Sequence, residues 1–416
     1  MSSPFRRFQV VKKVQESSVI SSFYLRPEDG DAVWPAKAGQ YLTLRMPTPD
    51  GAVLRTYSVS SDVSNTETYR ISVKREAAPV DVPDAPDGVG SCWLHDQVEV
   101  GSTLEIAAPR GTFILDESSQ RPVLLLSGGV GQTPLLSMLH CLAKTSREAW
   151  YLHACENGAV HALQAEVNEL VDQAGEHLLH SVVVYRQPLE ADYEAQGFDS
   201  MGFIDKAFLQ SLLPMDDYEV YLCGPTAFMV AMYQLLTELG VAKSRITYEF
   251  FGDAASLEAL AFGTQQEQAP KTSSMAATKA PAALGNLVHI TNPDAWAVDN
   301  NTRLVNAASS RSGHAESSLV GSSLPNSAHS GTESSVSFSR SGLTVEWSGA
   351  NTSLLQLAEQ HGLTPNFSCR SGICNSCKSP LIEGEVEYFE QPLEPPNGNE
   401  VLLCCSRPLG RVVIDL

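Results

Sequence analysis

The stretch CRSGICNSC, residues 369–377, places three cysteines within nine residues, and no other feature constrains the chain so tightly. Thiols this close must be bridged, wrapped around zinc, or hold iron. Five of the nine cysteines (Cys369, Cys374, Cys377, Cys404 and Cys405) crowd the C-terminal stretch. Cys92, Cys141 and Cys155 lie far apart and read as small buried apolar side chains. The opening MSSPFRRFQVVKK carries charge with no apolar region behind it, and no apolar run approaches the ~20 residues of a membrane-spanning helix. The expectation is a cytoplasmic protein with reduced thiols, which argues against disulfides. Zinc ribbons usually pair two C-x-x-C knuckles, and this loop has one.

Cys369-x4-Cys374-x2-Cys377 with a later cysteine has the plant-type [2Fe-2S] spacing. Four thiolates around two irons and two sulfides leave a net negative charge that wants backbone N–H groups pointing inward. Ser371, Gly372, Asn375 and Ser376 are small enough to let the chain wrap and present those donors. Around the loop, SVSFSRSGLTVEWSG reads as a hairpin and TSLLQLAEQHG as a short helix, capped by Thr352 or Ser353 and ended by Gly362. KSPLIEGEVEYF and RVVIDL read as strands. Residues 336–416 resemble a plant-type ferredoxin of the β-grasp fold. In such ferredoxins a proline follows the last ligand by four positions. Pro408 stands four after Cys404, so the resemblance implies Cys369, Cys374, Cys377 and Cys404 as ligands and Cys405 as a packing residue.

The 416 residues are too many for one core, and 43% hydrophobic content is enough to build several. Residues 1–118 carry successive strand signals (FQVVKKVQE, VISSFYLRP, QYLTLRM, RTYSVSS, TYRISVKR, STLEIAAP) and predict a small antiparallel β-barrel. Residues 119–262 alternate strand and helix, which predicts an α/β domain with a parallel sheet. Residues 263–335, rich in Ser, Ala, Asn, Thr and Gly, read as a flexible linker, with LGNLVHITNPDAWAVDNN as a local strand or docking motif. A net charge of −20 argues against nucleic acid and anionic membranes as partners.

An iron–sulfur centre moves single electrons and needs a donor. RTYSVS (Arg55–Ser60) and GVGSCWLHD (Gly88–Asp96) together resemble the flavin signatures of the ferredoxin–NADP reductase superfamily. That resemblance implies that Arg55 pairs with flavin phosphates, with Thr56 beside it. It implies that Tyr57 packs on the isoalloxazine ring and that Ser58 lies near its hydride-accepting N5. Gly88, Val89, Gly90 and Ser91 would open a helix whose N–H groups hold the pyrophosphate. Val73 and Lys74, in VKRE, match the strand beside the ribityl and adenine side. SGGVGQTP supplies Gly128, Gly129, Val130, Gly131, Gln132, Thr133 and Pro134 and resembles the family's nicotinamide-nucleotide pyrophosphate loop. Thr133 and Pro134 are expected as helix N-cap and first-turn residue. YLCGPTAFM implies Cys223 near the nicotinamide, with Gly224 and Pro225 opening the backbone beside it. YEFFG implies Glu249 in the site and an aromatic ring on the second flavin face; Phe251 fits best and Phe250 is the rival.

YLHACENGAVHAL and the segment from Gly88 to Leu115 resemble the reductase half of flavohaemoglobins. No globin domain precedes them, so oxygen and nitric-oxide chemistry is not expected to carry over. The order flavin, nicotinamide, ferredoxin resembles the phthalate dioxygenase reductase type, and the extended GVGSCW motif favours FAD over FMN. The resemblance implies hydride transfer from NADH or NADPH to flavin, single electrons to the cluster, and delivery to a protein acceptor such as a Rieske-type oxygenase or demethylase. A hybrid-cluster protein is the rival acceptor, and a redox-sensing iron–sulfur protein the rival of another class. Glu156, after YLHAC, and the lack of a basic cluster there favour NADH. His95, His153 and His161 show no ligand spacing and read as polar contacts near the cofactors or as surface residues.

Overall fold

A computed structural model describes residues 4–48, 51–78, 87–175, 178–251, 257–262, 334–348, 353–367 and 369–416. Nearly all of the expected linker, its 284–301 motif included, lies outside the described residues, as does Thr352.

Six antiparallel strands form the first sheet: β1 (Phe5–Gln15), β2 (Ile20–Pro27), β3 (Tyr41–Thr48), β4 (Gly51–Ser58), β5 (Tyr69–Lys74) and β6 (Thr103–Arg110). Their order is β4-β3-β6-β1-β2-β5. A bridge between Val59 and Ile71 joins the two edges, so the sheet closes into the expected barrel. Inward positions alternate with polar ones: Phe8 and Val10 are buried while Arg7 and Gln9 are not. Phe8, Phe23, Leu42, Leu44 and Ile71 are wholly buried, each contributing about 1.5–3 kcal/mol over exposure. Helix α1 (Val89–Gln97) sits between β5 and β6.

The second sheet is parallel, in the order β10-β9-β8-β7-β11-β12. Its strands are β7 (Val123–Gly128), β8 (Ala149–Cys155), β9 (Leu179–Tyr185), β10 (Ser200–Met201), β11 (Glu219–Cys223) and β12 (Ile246–Glu249). Central β7 is buried along its whole length, as a strand covered on both faces must be. Helices α2 (Gln132–Leu142) and α3 (Gln164–Ala174) cover one face. The other is covered by α5 (Lys206–Leu212), α6 (Thr226–Glu238) and α7 (Leu257–Phe262). Short α4 (Glu190–Ala195) follows β9. Ile20, Ala38, Phe113 and Leu115 from the barrel side share one core with Leu135, Met138 and Leu139 of α2. Helix α3 starts at Gln164, because Leu163 before it adopts a left-handed backbone and buries its side chain. His153 and His161 are buried and stacked 4.5 Å apart, so neither is a surface residue.

The C-terminal sheet has the order β14-β13-β17-β15-β16. It comprises β13 (Ser335–Phe338), β14 (Leu343–Glu346), β15 (Lys378–Tyr388), β16 (Glu400–Leu402) and β17 (Ser406–Ile414). β13 and β14 form the expected hairpin, and β13 runs parallel to β17. This is the β-grasp arrangement, with α8 (Leu354–Gln360) burying Leu354, Leu355 and Leu357. Ser353 is its cap, accepting from Gln356 N at 3.2 Å, and Gly362 ends it at φ +76°.

Candidate flavin, nicotinamide and cluster sites

Ser58 ends β4 and is 4% exposed, yet its Oγ has no hydrogen-bond partner. A buried hydroxyl left unsatisfied costs about 1–3 kcal/mol, so this atom is shaped for something bound against it. Tyr57 beside it is half-buried, and burial pushes its phenol well above the usual range, so it stays neutral. Thr56 faces solvent, and the Arg55 guanidinium donates to the Leu54 carbonyl at 2.9 Å. Gly90 packs directly on this strand: a Cβ there would lie 2.8 Å from Arg55 Cγ and 3.0 Å from the Tyr57 hydroxyl. The glycine is what lets the α1 N-terminus approach Arg55 and Tyr57.

Gly88 caps α1 as expected, with Val89 in its first turn. The turn is tied to the strand before it. Gly88 N donates to the Glu76 carbonyl at 2.8 Å, and Ser91 Oγ accepts from Glu76 N at 3.2 Å. Val73 is buried, its carbonyl 2.8 Å from His95 Nε2, while Lys74 pairs with Glu76 at 3.0 Å. First-turn N–H groups lack intrahelical acceptors. The set of Arg55, an open helix start and a glycine-cleared approach fits a flavin with a pyrophosphate.

In the parallel sheet, chain order reverses beside β7: β8 to β10 lie on one side, β11 and β12 on the other. Ligands of such sheets bind at the carboxyl ends of the strands at this switch point. The loop Gly128–Pro134 follows β7, and Cys223–Pro225 ends β11. The two loops touch through backbone. A Cβ on Gly131 would lie 2.3 Å from the Cys223 carbonyl oxygen, and one on Gly224 3.0 Å from Gly128 Cα. Gly128 itself is pressed against Phe228 and Pro225. Gly129 takes φ +51° beside Val130. Thr133 is not the cap. A 3-10 turn over Gly129–Gly131 precedes the helix, Gly131 occupies the cap, and Thr133 Oγ1 bonds back to the Val130 carbonyl at 3.1 Å. Pro134 is in the first turn as expected, where its missing N–H costs nothing. Gln132 is 1% exposed with Oε1 unpartnered.

Cys223 pairs in register with Glu249 of β12. Burial, with the Glu249 carboxyl beside it, pushes the Cys223 thiol well up, so it is no thiolate. Burial also raises Glu249 to about 8, and its Oε2 has no partner. This carboxyl can hold a proton at neutral pH. Phe250 packs in the core against Tyr248, whereas Phe251 is 43% exposed. Of the two rings Phe251 is the more exposed.

The sequence reading missed a cation near Glu156. Arg186, just after β9, donates to both Glu156 oxygens at 2.6 and 2.8 Å. Thirty residues of separation had not been bridged by any local pattern, but β8 and β9 are adjacent.

In the cysteine loop, Cys369 Sγ accepts from Ile373 N (3.3 Å) and Cys374 N (3.2 Å). Cys374 Sγ accepts from Cys369 N (3.4 Å) and Ser376 N (3.5 Å). Arg370 and Asn375 take φ +52° and +59°, the left-handed turns that aim successive N–H groups inward. Such a loop fits a thiolate-held anion. Cys377 is buried, and its carbonyl accepts from Leu403 N at 3.3 Å. Cys404 and Cys405 lie in the 3-10 turn Leu403–Cys405, with Cys405 Sγ turned to the Leu402 carbonyl. Among the described residues no three Cys, His, Asp or Glu side chains gather on a single metal-ion site. A two-iron cluster takes its thiolates in pairs, one pair per iron. No helix among the described residues is long and apolar enough to cross a membrane.

Family models match in order: an oxidoreductase FAD-binding domain at residues 7–114, an oxidoreductase NAD-binding domain at 125–234, and a 2Fe-2S iron-sulfur cluster binding domain at 337–409. A flavohemoprotein of Bacillus thuringiensis is 44% identical over 258 residues, covering 61% of this chain and 62% of its own. The chain thus spans about three fifths of the length of the curated relatives it matches. The flavohem-like FAD/NAD-binding domain of nitric oxide dioxygenase from Vibrio cholerae is 38% identical with a TM-score of 0.52. The alignment covers 59% of this chain and 98% of that one. Phthalate dioxygenase reductase shares the fold over 100% of both chains, at 22% identity and a TM-score of 0.50. The chain belongs to the ferredoxin–NADP reductase superfamily, as an NAD(P)H-dependent oxidoreductase that uses FAD and carries a C-terminal [2Fe-2S] domain.

Proposed function

We propose that the protein is an NADH-dependent reductase that delivers single electrons to a cytoplasmic protein acceptor, a Rieske-type oxygenase or demethylase component. When bound, the flavin supplies the step from hydride to single electrons, and the cluster supplies one-electron delivery. The chain's own residues bind and orient. Arg55 and the N-terminal turn of α1 hold the flavin phosphates, and the loops Gly128–Pro134 and Cys223–Pro225 seat the nucleotide. Ser58 Oγ offers a hydrogen bond at the flavin edge. Glu249 holds a proton beside Cys223, and the exposed Phe251 ring is the residue that would cover a bound flavin. Cys369, Cys374, Cys377 and Cys404 hold the iron.

The observation that carries this reading is the cysteine loop, in which the Cys369 and Cys374 sulfurs each accept two backbone N–H groups. A chain that pairs such a loop with a hydride-accepting crevice is built to pass electrons onward. Phthalate dioxygenase reductase, which has the same order of parts, is described as transferring electrons from pyridine nucleotides to [2Fe-2S]. Glu156, holding Arg186, occupies the end of β8, where an acidic residue favours ribose hydroxyls over a 2′-phosphate. Anaerobic titration with NADH, read at the flavin and cluster absorbances and followed by cytochrome c reduction, tests the proposal. Both chromophores should bleach and cytochrome c should be reduced steadily. Cluster bands that NADH never bleaches would make the protein a sensor instead.

A further inference from the structure

The two walls of the proposed crevice belong to different sheets, so hydride transfer depends on how firmly those sheets are registered. Reacting atoms must be held about 3–3.5 Å apart. The apolar seam of Ile20, Ala38, Phe113 and Leu115 against α2 resists separation but is non-directional. A directional tie lies beside it. Arg70 of β5 is 4% exposed, and its guanidinium is fully engaged. Nε donates to Ser60 Oγ at 3.1 Å and Nη2 to the Ser60 carbonyl. Nη1 and Nη2 reach the two Glu166 oxygens at 2.5 and 3.0 Å. Glu166, in the first turn of α3, is also 2.6 Å from His140 Nε2 in the last turn of α2.

Both ends of this cluster lead into the crevice. Ser60 lies two residues beyond Ser58, and its Oγ is braced by Ser72 Oγ at 2.8 Å, itself 2.7 Å from Ser22 Oγ. Helix α2 begins at the Gly128–Gln132 loop. A second tie runs from Lys144, just past α2, to Asp62 at 2.5 Å and Ser64 at 2.7 Å. A buried ion pair adds little net stability, since desolvation offsets its attraction; what it adds is a defined geometry.

We propose that Arg70 and Glu166, with His140, are positioning residues that set the distance between flavin and nicotinamide. The inference rests on the reading of Ser58 and the Gly128–Pro134 loop given above. The test uses the full-length protein with its FAD and cluster. Glu166→Gln weakens the tie, and the double variant Arg70→Met/Glu166→Leu replaces it with apolar packing that should preserve folding. Stopped-flow reduction by NADH and by its 4-deuterated form gives the limiting hydride-transfer rate, its isotope effect and the NADH half-saturation. In both variants FAD content and half-saturation should stay within about twofold, while the limiting rate falls roughly tenfold or more and the long-wavelength charge-transfer absorbance weakens. A limiting rate within about twofold of wild type in the double variant overturns the proposal. So does loss of FAD from both variants, which would make the cluster a support of the flavin site alone. A wild-type flavin that neither NADH nor NADPH reduces would instead refute the functional reading itself.

Discussion

Replacing Gly131 by alanine would place a methyl carbon 2.3 Å from the Cys223 carbonyl oxygen, 2.5 Å from its carbon and 2.6 Å from Gly224 N. All three are backbone atoms, so no side-chain rotation relieves the clash. To reach ordinary contact near 3.4 Å, the two loops must part by about 1 Å. The dihedral angles of Gly131, φ −60° and ψ −10°, suit any residue, so alanine pays no conformational cost there. It even restricts the unfolded chain, worth about 0.4–1 kcal/mol in its favour. Overpacking costs about 1–3 kcal/mol and wins, leaving a net loss near 1–2 kcal/mol, or a few degrees in Tm. The kinetic effect should be larger, because misplacement by about 1 Å can cost roughly a hundredfold in hydride transfer. Stopped-flow flavin reduction and thermal unfolding measure the two. Gly202→Ala is the control: φ is +97° with nothing within 4 Å, so strain lowers stability without touching the loops. If Gly131→Ala loses stability but reduces its flavin within about threefold of wild type, the contact between the loops does not set the geometry of transfer.

Three further outcomes are expected. Cys404→Ser should lose the cluster's visible absorbance and acid-labile sulfur while Cys405→Ser keeps both; the reverse would exchange their roles. Glu249 binds a proton more tightly folded than unfolded, so its contribution to stability is complete below about pH 4.5 and is lost as pH rises through about 8. Its partial exposure reduces that contribution to about 2 kcal/mol, and Glu249→Gln should flatten the fall in Tm across this window. Glu156→Gln should free Arg186 for a 2′-phosphate and raise kcat/KM for NADPH relative to NADH roughly tenfold; an unchanged ratio would remove Glu156 from coenzyme choice.

The places of the motif residues at element ends were legible because their signals are local. Gly88 at the start of α1, the glycines after β7 and the Cys-Gly-Pro turn after β11 each announce themselves within a few residues. The cap assigned to Thr133 failed for a local reason as well: the glycines allow a 3-10 turn that starts the helix two residues earlier. Arg70 and Glu166 gave no signal. Each looks like a polar position in an amphipathic strand or helix, and 96 residues separate them. The surface alternative for His153 and His161 failed because imidazole suits surface and core alike, and burial depends on neighbours that the local pattern does not name.

By itself the sequence determined most of the strands and helices and the iron–sulfur spacing, because alternation and cysteine spacing act over a few residues, while its resemblance to a known family implied the flavin and the nicotinamide. The tertiary structure alone decided that Gly131 meets the Cys223 carbonyl, that Phe251 rather than Phe250 stays exposed, and that Arg186 finds Glu156. These contacts arise where sheet order brings distant strand ends together, and strand order is set by the packing of whole faces rather than by any neighbour along the chain.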